Sequence, residues 1–311
     1  MNINKIYCGN CIDVLKTFPN KSIDCCISSP PYYGLRDYGV SGQIGNEDTP
    51  EQYIENLVSV FEEVKRVLKD EGILWLNLGD SWLGTGGDRK NPSNNKVFND
   101  IQKQNPKEGR YKRNQNMKAT GIKCKDLIGI PWMAAFALRE SGWYLRQDII
   151  WAKGNPMPES VKDRCTKSHE YIFLLSKSRK YYFDYESIKE PAVTQPKARD
   201  KNKEGYQADY PKGDRFSSGE RVYGADGMRN KRDVWNVNIK PCKEAHFATF
   251  PDTLIEPCVL AGCPEGGIIL DPFIGSGTTG MVAKKHNRNY VGIELNPNYV
   301  QIAEKRINIE S

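Results

Sequence analysis

Two short stretches at opposite ends of the 311-residue chain combine residue types that could do chemistry. The first is SPPY at 29–32, which directly follows the apolar run SIDCCIS. Proline donates no backbone hydrogen bond, so a strand in this position must end there, with a carbonyl group outside the sheet ladder. The pattern predicts a serine hydroxyl, carbonyl oxygens and an aromatic ring at the tip of a buried strand.

The second stretch is IILDPFIGSGTTG at 268–280, in which an apolar run ends at Asp271. Gly275 and Gly277 are typical of a tight turn, and Thr278 is placed to begin a helix whose first N–H groups face a ligand. The next apolar run, YVGIEL, ends at Glu294, about 20 residues after the turn. In doubly wound folds an acidic residue at that place commonly binds ribose hydroxyls.

The details of the second stretch exclude two common ligands. No lysine follows the last glycine, so the phosphate-binding loop of nucleotide triphosphatases is absent, and the third glycine of a dinucleotide fingerprint is missing. Asp271 at the strand end disfavours pyrophosphate and favours a ligand with a positive group, such as an ammonium or a sulfonium. A purely structural glycine turn is the alternative.

The elements that must position these stretches alternate along the chain. Apolar runs typical of strands are separated by helical segments, including one expected over 50–69 with an apolar face. Alternation of this kind predicts an α/β fold with a Rossmann-like, doubly wound and mostly parallel sheet. Ligands of such sheets bind at the carboxyl ends of the strands, where both stretches would lie.

Two long polar stretches interrupt this pattern, at about 84–125 and 190–240. They are too long for ordinary connections in a compact domain, and are either plain surface insertions or a recognition module above the sheet edge. We expect a discontinuous catalytic and cofactor-binding domain with two inserted target-recognition segments. The domain comprises 1–84, 121–190 and 240–311, and the inserted recognition segments comprise 85–120 and 191–239.

The composition is that of a soluble globular chain, with 38% hydrophobic and 27% charged residues. No apolar run approaches the length of a membrane span, and the first residues lack the apolar core of a signal peptide. Nine cysteines, an odd number, suit a reducing cytoplasm, and the Cys8–Cys11 spacing has no second pair for a metal. A net charge of +6 permits a polyanionic partner.

Together the motifs carry a family resemblance. SPPY followed much later by DPFIGSGTT resembles the amino-methylating DNA methyltransferases that use S-adenosylmethionine, whose signature is S/D/N-P-P-Y/F. Within that family SPPY occurs mainly in enzymes that methylate cytosine at N4, and the order of motifs resembles the permuted beta class. NLGDSW, DIIWAKGNPMPESVKDR and SHEYIFLLSKS resemble further family blocks, whereas the two polar stretches are not covered.

The resemblance implies methyl transfer from S-adenosyl-L-methionine to the exocyclic N4 of a cytosine flipped out of duplex DNA. The implied catalytic residues are Ser29, Pro30, Pro31 and Tyr32. The Ser29 hydroxyl and the Pro30 carbonyl would accept hydrogen bonds from the target amine, and Tyr32 would stack on the base. Methylation of adenine N6 is the open alternative, followed by an inactive DNA-binding protein and by an RNA or protein methyltransferase.

The resemblance also implies a set of cofactor-binding residues. Their members are Asn10, Phe250, Asp271, Pro272, Phe273, Gly275, Ser276, Gly277, Thr278 and Glu294. Asn10 stands where the family has an acidic residue, and its side-chain carbonyl would accept the adenine amine of the cofactor. Asp80, which ends another apolar run, is expected to line the same cleft. Glu170 is expected to make a structural hydrogen bond.

Basic residues dominate the first polar stretch, with eleven Lys and Arg against three Asp and Glu in 84–125. Contact with DNA phosphates is the functional interpretation, and a solvated loop is the alternative. The residues predicted to bind DNA are Lys112, Arg113, Arg215, Arg221, Arg229 and Arg232. The family further implies a restriction endonuclease acting on the same site as a partner. The sequence predicts neither the recognition site nor the oligomeric state.

Overall fold

The structure is a computed structural model that describes residues 1–35, 40, 42–83, 121–192, 227–239 and 250–309. Within these residues one eight-stranded sheet forms the centre of the molecule. Its strands are β1 (Lys5–Cys8), β2 (Ile23–Ser28), β3 (Leu68–Leu78), β4 (Tyr144–Ala152), β5 (His169–Ser176), β8 (Val234–Asn236), β9 (Ile268–Asp271) and β10 (Asn289–Glu294). Two short strands, β6 (Glu190–Pro191) and β7 (Met228–Arg229), pair with each other outside this sheet.

The strand order is β1-β10-β9-β2-β3-β5-β4-β8. All neighbours run parallel except β5, which is antiparallel to both β3 and β4. The predicted mostly parallel sheet is therefore confirmed. Because β5 runs against the others, its first residues lie at the same edge as the last residues of the parallel strands.

Helices cover both faces of the sheet, as a doubly wound fold requires. They are α1 (Cys11–Lys16), α2 (Pro50–Val67), α3 (Ile130–Glu140), α4 (Asp252–Gly262), α5 (Thr278–Lys285) and α6 (Pro297–Ile309). The first three pack into one apolar cluster on one face, and the last three pack into a second cluster on the other face. No helix in the described ranges is long and apolar enough to span a membrane.

Helix α2 shows how local sequence sets these boundaries. The hydroxyl of Thr49 accepts a hydrogen bond from the Gln52 backbone N–H at 3.3 Å, and Pro50 occupies the first turn, where its missing N–H costs nothing. The helix ends at Val67 and not at residue 69 as the sequence predicted. Leu68 adopts an extended conformation and already pairs with Ile23 of β2, so the strand begins without a loop.

Helix α4 and strand β8, like the short strands β6 and β7, were not anticipated from the sequence. Helix α4 contains Pro257, a residue that usually argues against a helix interior. Strand β8 has three residues, too few to show an alternating pattern, and pairs in parallel with the end of β4. This pairing places residues 234–236 in the central sheet, whereas the sequence prediction included them in the recognition segment 191–239.

Candidate active site

A cavity of about 240 Å³ opens at the carboxyl edge of the sheet, and both sequence motifs line it. The predicted residues that line it are Asn10, Ser29, Pro30, Pro31, Tyr32, Phe250, Asp271, Pro272, Phe273, Gly275, Ser276, Thr278 and Glu294. We call Asn10, Asp271, Gly275, Thr278 and Glu294 the glycine-turn side. We call Ser29, Tyr32, Asn77, Lys153 and Glu170 the tyrosine side.

A buried carboxylate joins the two sides. The Ser28 hydroxyl, at the end of β2, donates a 2.7 Å hydrogen bond to Asp271, at the end of β9. Asp271 also accepts from the Thr279 hydroxyl at 2.6 Å and from the Phe273 backbone N–H at 3.1 Å. Burial raises the pKa of Asp271 to about 6, against the opposing effect of these three donors. The expected cofactor residue is thus also the link between motifs 243 residues apart.

The glycine turn uses its two glycines differently. Gly275 has a φ of 53° and lines the cavity. Gly277 has a φ of 88°, and a side-chain carbon there would lie 3.0 Å from Ala303 of α6. Gly277 therefore permits the turn and the close approach of α6, and it is not among the residues that line the cavity. This differs from the direct cofactor contact that the sequence predicted for it.

The rest of the glycine-turn side fits a ligand with ribose hydroxyls and a carboxylate. The Glu294 carboxylate accepts hydrogen bonds from the backbone N–H groups of Gly275 at 3.1 Å and Asn296 at 2.8 Å. Burial raises its pKa, so contact with donors of a ligand would stabilise the ionised form. Thr278 begins α5, and its buried hydroxyl has no hydrogen-bond partner within the described residues. A ligand carboxylate at this helix N-terminus would satisfy that hydroxyl.

Asn10 lines the cavity but already uses its side-chain oxygen. That oxygen accepts hydrogen bonds from the backbone N–H groups of Ile12 at 2.9 Å and Asp13 at 3.4 Å, which caps α1. The predicted bond from an adenine amine to this carbonyl would compete with the cap. The side-chain NH₂ group of Asn10 is therefore better suited to a ring nitrogen acceptor.

The Pro-Pro turn is held from outside the cavity. The Tyr53 hydroxyl of α2 donates a 2.8 Å hydrogen bond to the Pro31 carbonyl. This bond occupies the second proline carbonyl and fixes the direction of the turn, so the preceding Pro30 carbonyl is the better candidate for a ligand acceptor. The Tyr32 ring then packs so closely on Gly79 that a side-chain carbon there would lie 2.5 Å from it.

The tyrosine side is a chain of hydrogen-bonded side chains. The Tyr32 hydroxyl donates to the Glu170 carboxylate at 2.5 Å, with the Asn77 side-chain oxygen 3.1 Å away. Ser29 lines the same side of the cavity. Glu170 also forms an ion pair with Lys153. Burial and the Glu170 carboxylate raise the pKa of Tyr32 well above its usual value, so its hydroxyl remains a donor.

Sequence reasoning missed the place of Asn77 and Lys153, and it gave Glu170 a structural role only. Asn77 lies near the end of β3, Lys153 directly follows β4, and Glu170 is the second residue of β5. Glu170 reaches the ligand edge because β5 runs antiparallel to its neighbours, which brings the start of this strand there. The signal in the sequence was that polar residues flank the apolar runs of β4 and β5.

Asp80 does not line the cavity, although the sequence predicted that it would. Its carboxylate accepts hydrogen bonds from the backbone N–H groups of Gly129 at 3.0 Å and Ile130 at 3.2 Å, and it is not among the cavity-lining residues. The Lys167 ammonium binds the Asp80 carbonyl at 2.8 Å. Asp80 therefore caps α3 and does not face the cleft, because two unpaired N–H groups begin that helix nearby.

Two of the predicted DNA-binding residues lie within the described part of the chain. Arg229 and Arg232 both bind the Glu190 carboxylate, at 3.0 and 2.7 Å, and the Arg232 side chain is 63% exposed. One carboxylate between two guanidinium groups leaves a net positive charge on this surface. Lys112, Arg113, Arg215 and Arg221 lie outside the described residues.

No cluster of metal-binding side chains occurs among the residues with described positions. The Cys8–Cys11 pair is split between an exposed and a buried thiol. Burial raises the pKa of Cys11 to about 12, and a thiol that resists deprotonation is a poor metal ligand.

The fold and the cavity define a class of protein. A doubly wound sheet whose glycine turn and acidic strand end face a Pro-Pro-Tyr turn across one cavity is the architecture of an S-adenosylmethionine-dependent methyltransferase. The family model for N6/N4-type DNA methylases matches residues 23–305. The chain belongs to this family and is a DNA amino-methyltransferase of the restriction-modification type, with S-adenosyl-L-methionine as methyl donor.

Curated relatives resemble the whole chain. It is 46% identical to the Type II methyltransferase M.Cfr9I of Citrobacter freundii, over 100% of this chain and 89% of the relative. It is also 46% identical to the Type II methyltransferase M.SmaI of Serratia marcescens, over 97% of this chain and 90% of the relative.

Solved structures support the same fold. The PvuII cytosine-N4-specific DNA methyltransferase superposes with a TM-score of 0.61 at 17% identity, covering 99% of this chain and 91% of that chain. A putative DNA modification methylase of Thermus thermophilus, complexed with S-adenosyl-L-methionine, gives a TM-score of 0.58 at 25% identity. That match covers 98% of this chain and 95% of the other.

Proposed function

We propose that the enzyme methylates the exocyclic N4 of a cytosine flipped out of duplex DNA. The observation that carries this proposal is the shared cavity, which Ser29 and Pro30 line together with the glycine-turn side, and the Ser28–Asp271 hydrogen bond that joins the two strand ends. SPPY is the form of the motif that family resemblance links to cytosine.

The target amine is a poor nucleophile because its lone pair is delocalised into the ring. Hydrogen-bond acceptors aimed at its N–H groups draw the nitrogen toward tetrahedral geometry and stabilise the positive charge that develops on it. On the tyrosine side the Tyr32 proton is directed to Glu170. The Ser29 hydroxyl lines the same cavity and would accept from the amine through its oxygen lone pairs.

The glycine-turn side positions the methyl donor. S-adenosyl-L-methionine supplies an electrophilic methyl group on a sulfonium. Glu294 would bind the ribose hydroxyls, Thr278 and the α5 N–H groups would bind the carboxylate, and Asp271 would face the positive groups. Phe250 lines the same cavity and offers an aromatic face to the sulfonium. Holding donor and acceptor together supplies much of the rate.

The two polar stretches would form the DNA-binding surface. Arg232 is the most exposed of the described candidates, and a phosphate could take over part of its interaction with Glu190. Combined Lys112→Ala and Arg113→Ala should weaken DNA binding and flatten its dependence on salt. We further propose action in the cytoplasm and a restriction endonuclease that cuts the same site. DNA methylated by this enzyme should resist that endonuclease.

Mass spectrometry of nucleosides tests the choice of base. The enzyme is expressed in a host without DNA methylation, its DNA is digested, and N4-methylcytosine is measured against N6-methyladenine. We expect N4-methylcytosine alone in cells with the wild-type enzyme and a much lower yield of the same product with Ser29→Ala. N6-methyladenine alone would reject cytosine, and sequencing of the same DNA locates the methylated site.

A further inference from the structure

The tyrosine side contains a cation that amine methylation does not require. The Lys153 ammonium lines the cavity beside Glu170, and its side chain is only 15% exposed. A shielded charge costs free energy unless it is paired, and Glu170 supplies the opposite charge. The pair stands at the ligand edge of the sheet, where β4 ends and β5 begins.

Trp151 and Glu170 hold the Lys153 ammonium in place. The ammonium lies 4.3 Å from the centre of the Trp151 ring, and Trp151 is itself held by a 2.8 Å hydrogen bond from its indole N–H to the Val237 carbonyl. An ammonium has three N–H donors. Among the residues that the structure describes, Glu170 is its one side-chain acceptor, so further donors remain for a ligand in the cavity.

Two groups on the tyrosine side suit the two ends of one edge of cytosine. Ser29 offers a hydroxyl acceptor and Lys153 offers an ammonium donor, and both line the same cavity. Along that edge cytosine presents the N4 amine, which donates, and O2, which accepts, with N3 between them. Adenine presents an amine, an accepting N1 and then a C–H group, so it offers nothing to a second donor at the last place.

We propose that Lys153 is a base-recognition residue, which donates a hydrogen bond to O2 of the flipped cytosine while Glu170 and Trp151 hold it in place. This inference rests on the proposed methylation of cytosine N4. It assigns Lys153 to the choice of base, separately from the acceptors that act on the amine.

The test pairs a change in the enzyme with a change in the base. Wild-type enzyme and Lys153→Met are assayed for kcat/KM on a duplex carrying the mapped site, with cytosine or 2-thiocytosine at the target. The thiocarbonyl is a weaker acceptor, so wild-type enzyme should lose about 10-fold on 2-thiocytosine. Lys153→Met should lose about 10- to 100-fold on cytosine and no longer discriminate between the two bases.

Matched variants separate recognition from folding. Lys177→Met removes a lysine with a similarly shielded side chain, 17% exposed, at the far end of β5, and should keep both kcat/KM values. Lys153→Arg keeps a donor and should retain part of the discrimination. Cofactor affinity measured by titration calorimetry should be the same in Lys153→Met and wild type, which shows an intact glycine-turn side.

The outcomes distinguish this inference from the proposed function. If wild-type enzyme makes N4-methylcytosine while Lys153→Met loses the same factor on 2-thiocytosine as wild type does, the two effects are independent and Lys153 does not contact O2. Unchanged kcat/KM in Lys153→Met overturns the inference in the same way. If wild-type enzyme makes N6-methyladenine, the proposed function itself fails.

Discussion

The two sides of the cavity are held together by different kinds of interaction. On the glycine-turn side, Glu294 is fixed by the backbone N–H groups of Gly275 and Asn296. On the tyrosine side, Tyr32 is fixed by the Glu170 side chain, 138 residues away in sequence, and Glu170 is held in turn by Lys153. Glu294 therefore rests on local backbone geometry, whereas Tyr32 rests on side chains from distant strands.

This difference has a consequence for mutation. Backbone donors survive most side-chain changes, so replacements on the glycine-turn side should act one residue at a time. Members of a hydrogen-bonded side-chain network depend on each other, so replacements on the tyrosine side should show strong coupling. Because the sides hold different reactants, tyrosine-side variants should change kcat and glycine-turn variants should change the Kd of the cofactor.

The largest effect is expected for Ser29→Ala, which removes the acceptor for the target amine. We expect kcat to fall by about 10²- to 10³-fold, the range seen when one donor or acceptor to developing charge is removed. The Kd of S-adenosylmethionine should stay at the wild-type value, because the glycine-turn side is unchanged. Single-turnover methylation and titration calorimetry measure the two quantities.

The matched control for Ser29→Ala is Ser59→Ala. Ser59 lies on the exposed face of α2 and hydrogen-bonds to the Glu55 carbonyl of its own helix. Its loss should leave kcat and the cofactor Kd unchanged. A cofactor Kd that rises in Ser29→Ala as much as kcat falls would show that the two sides are not separable.

A smaller effect is expected for Gly79→Ala, which acts on the Tyr32 ring. The added carbon would lie 2.5 Å from a ring atom, so the ring must move. A shift of about 1 Å in a positioning group can cost about 10²-fold, and we expect kcat to fall by about 10- to 100-fold. Added to Tyr32→Ala, the same change should cost little more, because the ring it displaces is gone.

Gly121→Ala is the control for the backbone. Gly121 has a φ of 93°, and an added carbon there meets no atom of the described residues within 4 Å. It should lower thermal stability through backbone strain and leave kcat unchanged. Equal losses from Gly79→Ala in the wild-type and Tyr32→Ala backgrounds would mean that the Tyr32 contact does not matter.

The same contrast explains what the sequence could predict. The glycine turn, the acidic end of β10 and the helix that begins at Thr278 are contiguous in sequence, so their types and spacing predict their arrangement. The sheet class followed from alternating elements in the same way. Asp271 shows the limit, since its bond to Ser28 depends on β9 pairing beside β2.

The tyrosine side could be predicted only in part. SPPY identified Ser29 and Tyr32, but Glu170 and Lys153 reach the cavity because β5 runs antiparallel between β3 and β4. Nothing local in the sequence of β5 fixes that direction. Asp80 was misplaced for a related reason, since a carboxylate at a strand end has the same local pattern whether it faces the cleft or caps a helix.

On the glycine-turn side, Glu294→Gln should weaken cofactor binding and spare turnover. The change removes the negative charge but keeps an acceptor oxygen, and hydrogen bonds to charged groups contribute about 1.5 to 3 kcal/mol. We expect the Kd of S-adenosylmethionine to rise by about 10- to 30-fold, with kcat unchanged at saturating cofactor. Glu304→Gln, on the exposed face of α6, is the control. A fall in kcat at saturation would contradict the division between the two sides.

The smallest effect is the dependence of cofactor binding on pH. Burial raises the pKa of Asp271 to about 6, so its carboxyl is mostly ionised at pH 7 and mostly neutral at pH 5. The ionised form attracts the positive groups of the cofactor, so affinity should fall as pH decreases through 6. Because about a tenth of the group stays ionised one pH unit below its pKa, the Kd should rise about 3- to 10-fold.

Asp271→Asn isolates this carboxyl. The amide cannot ionise, so the step near pH 6 should disappear, and the Kd should resemble that of wild type at pH 5. Glu294, whose pKa is also raised by burial, remains in this variant and would contribute any residual slope. Calorimetric titrations of both proteins from pH 5 to pH 7.5 make the comparison. If Asp271→Asn shows a change in Kd of the same size and midpoint, another group titrates near pH 6. The charge of Asp271 would then not contribute to cofactor affinity.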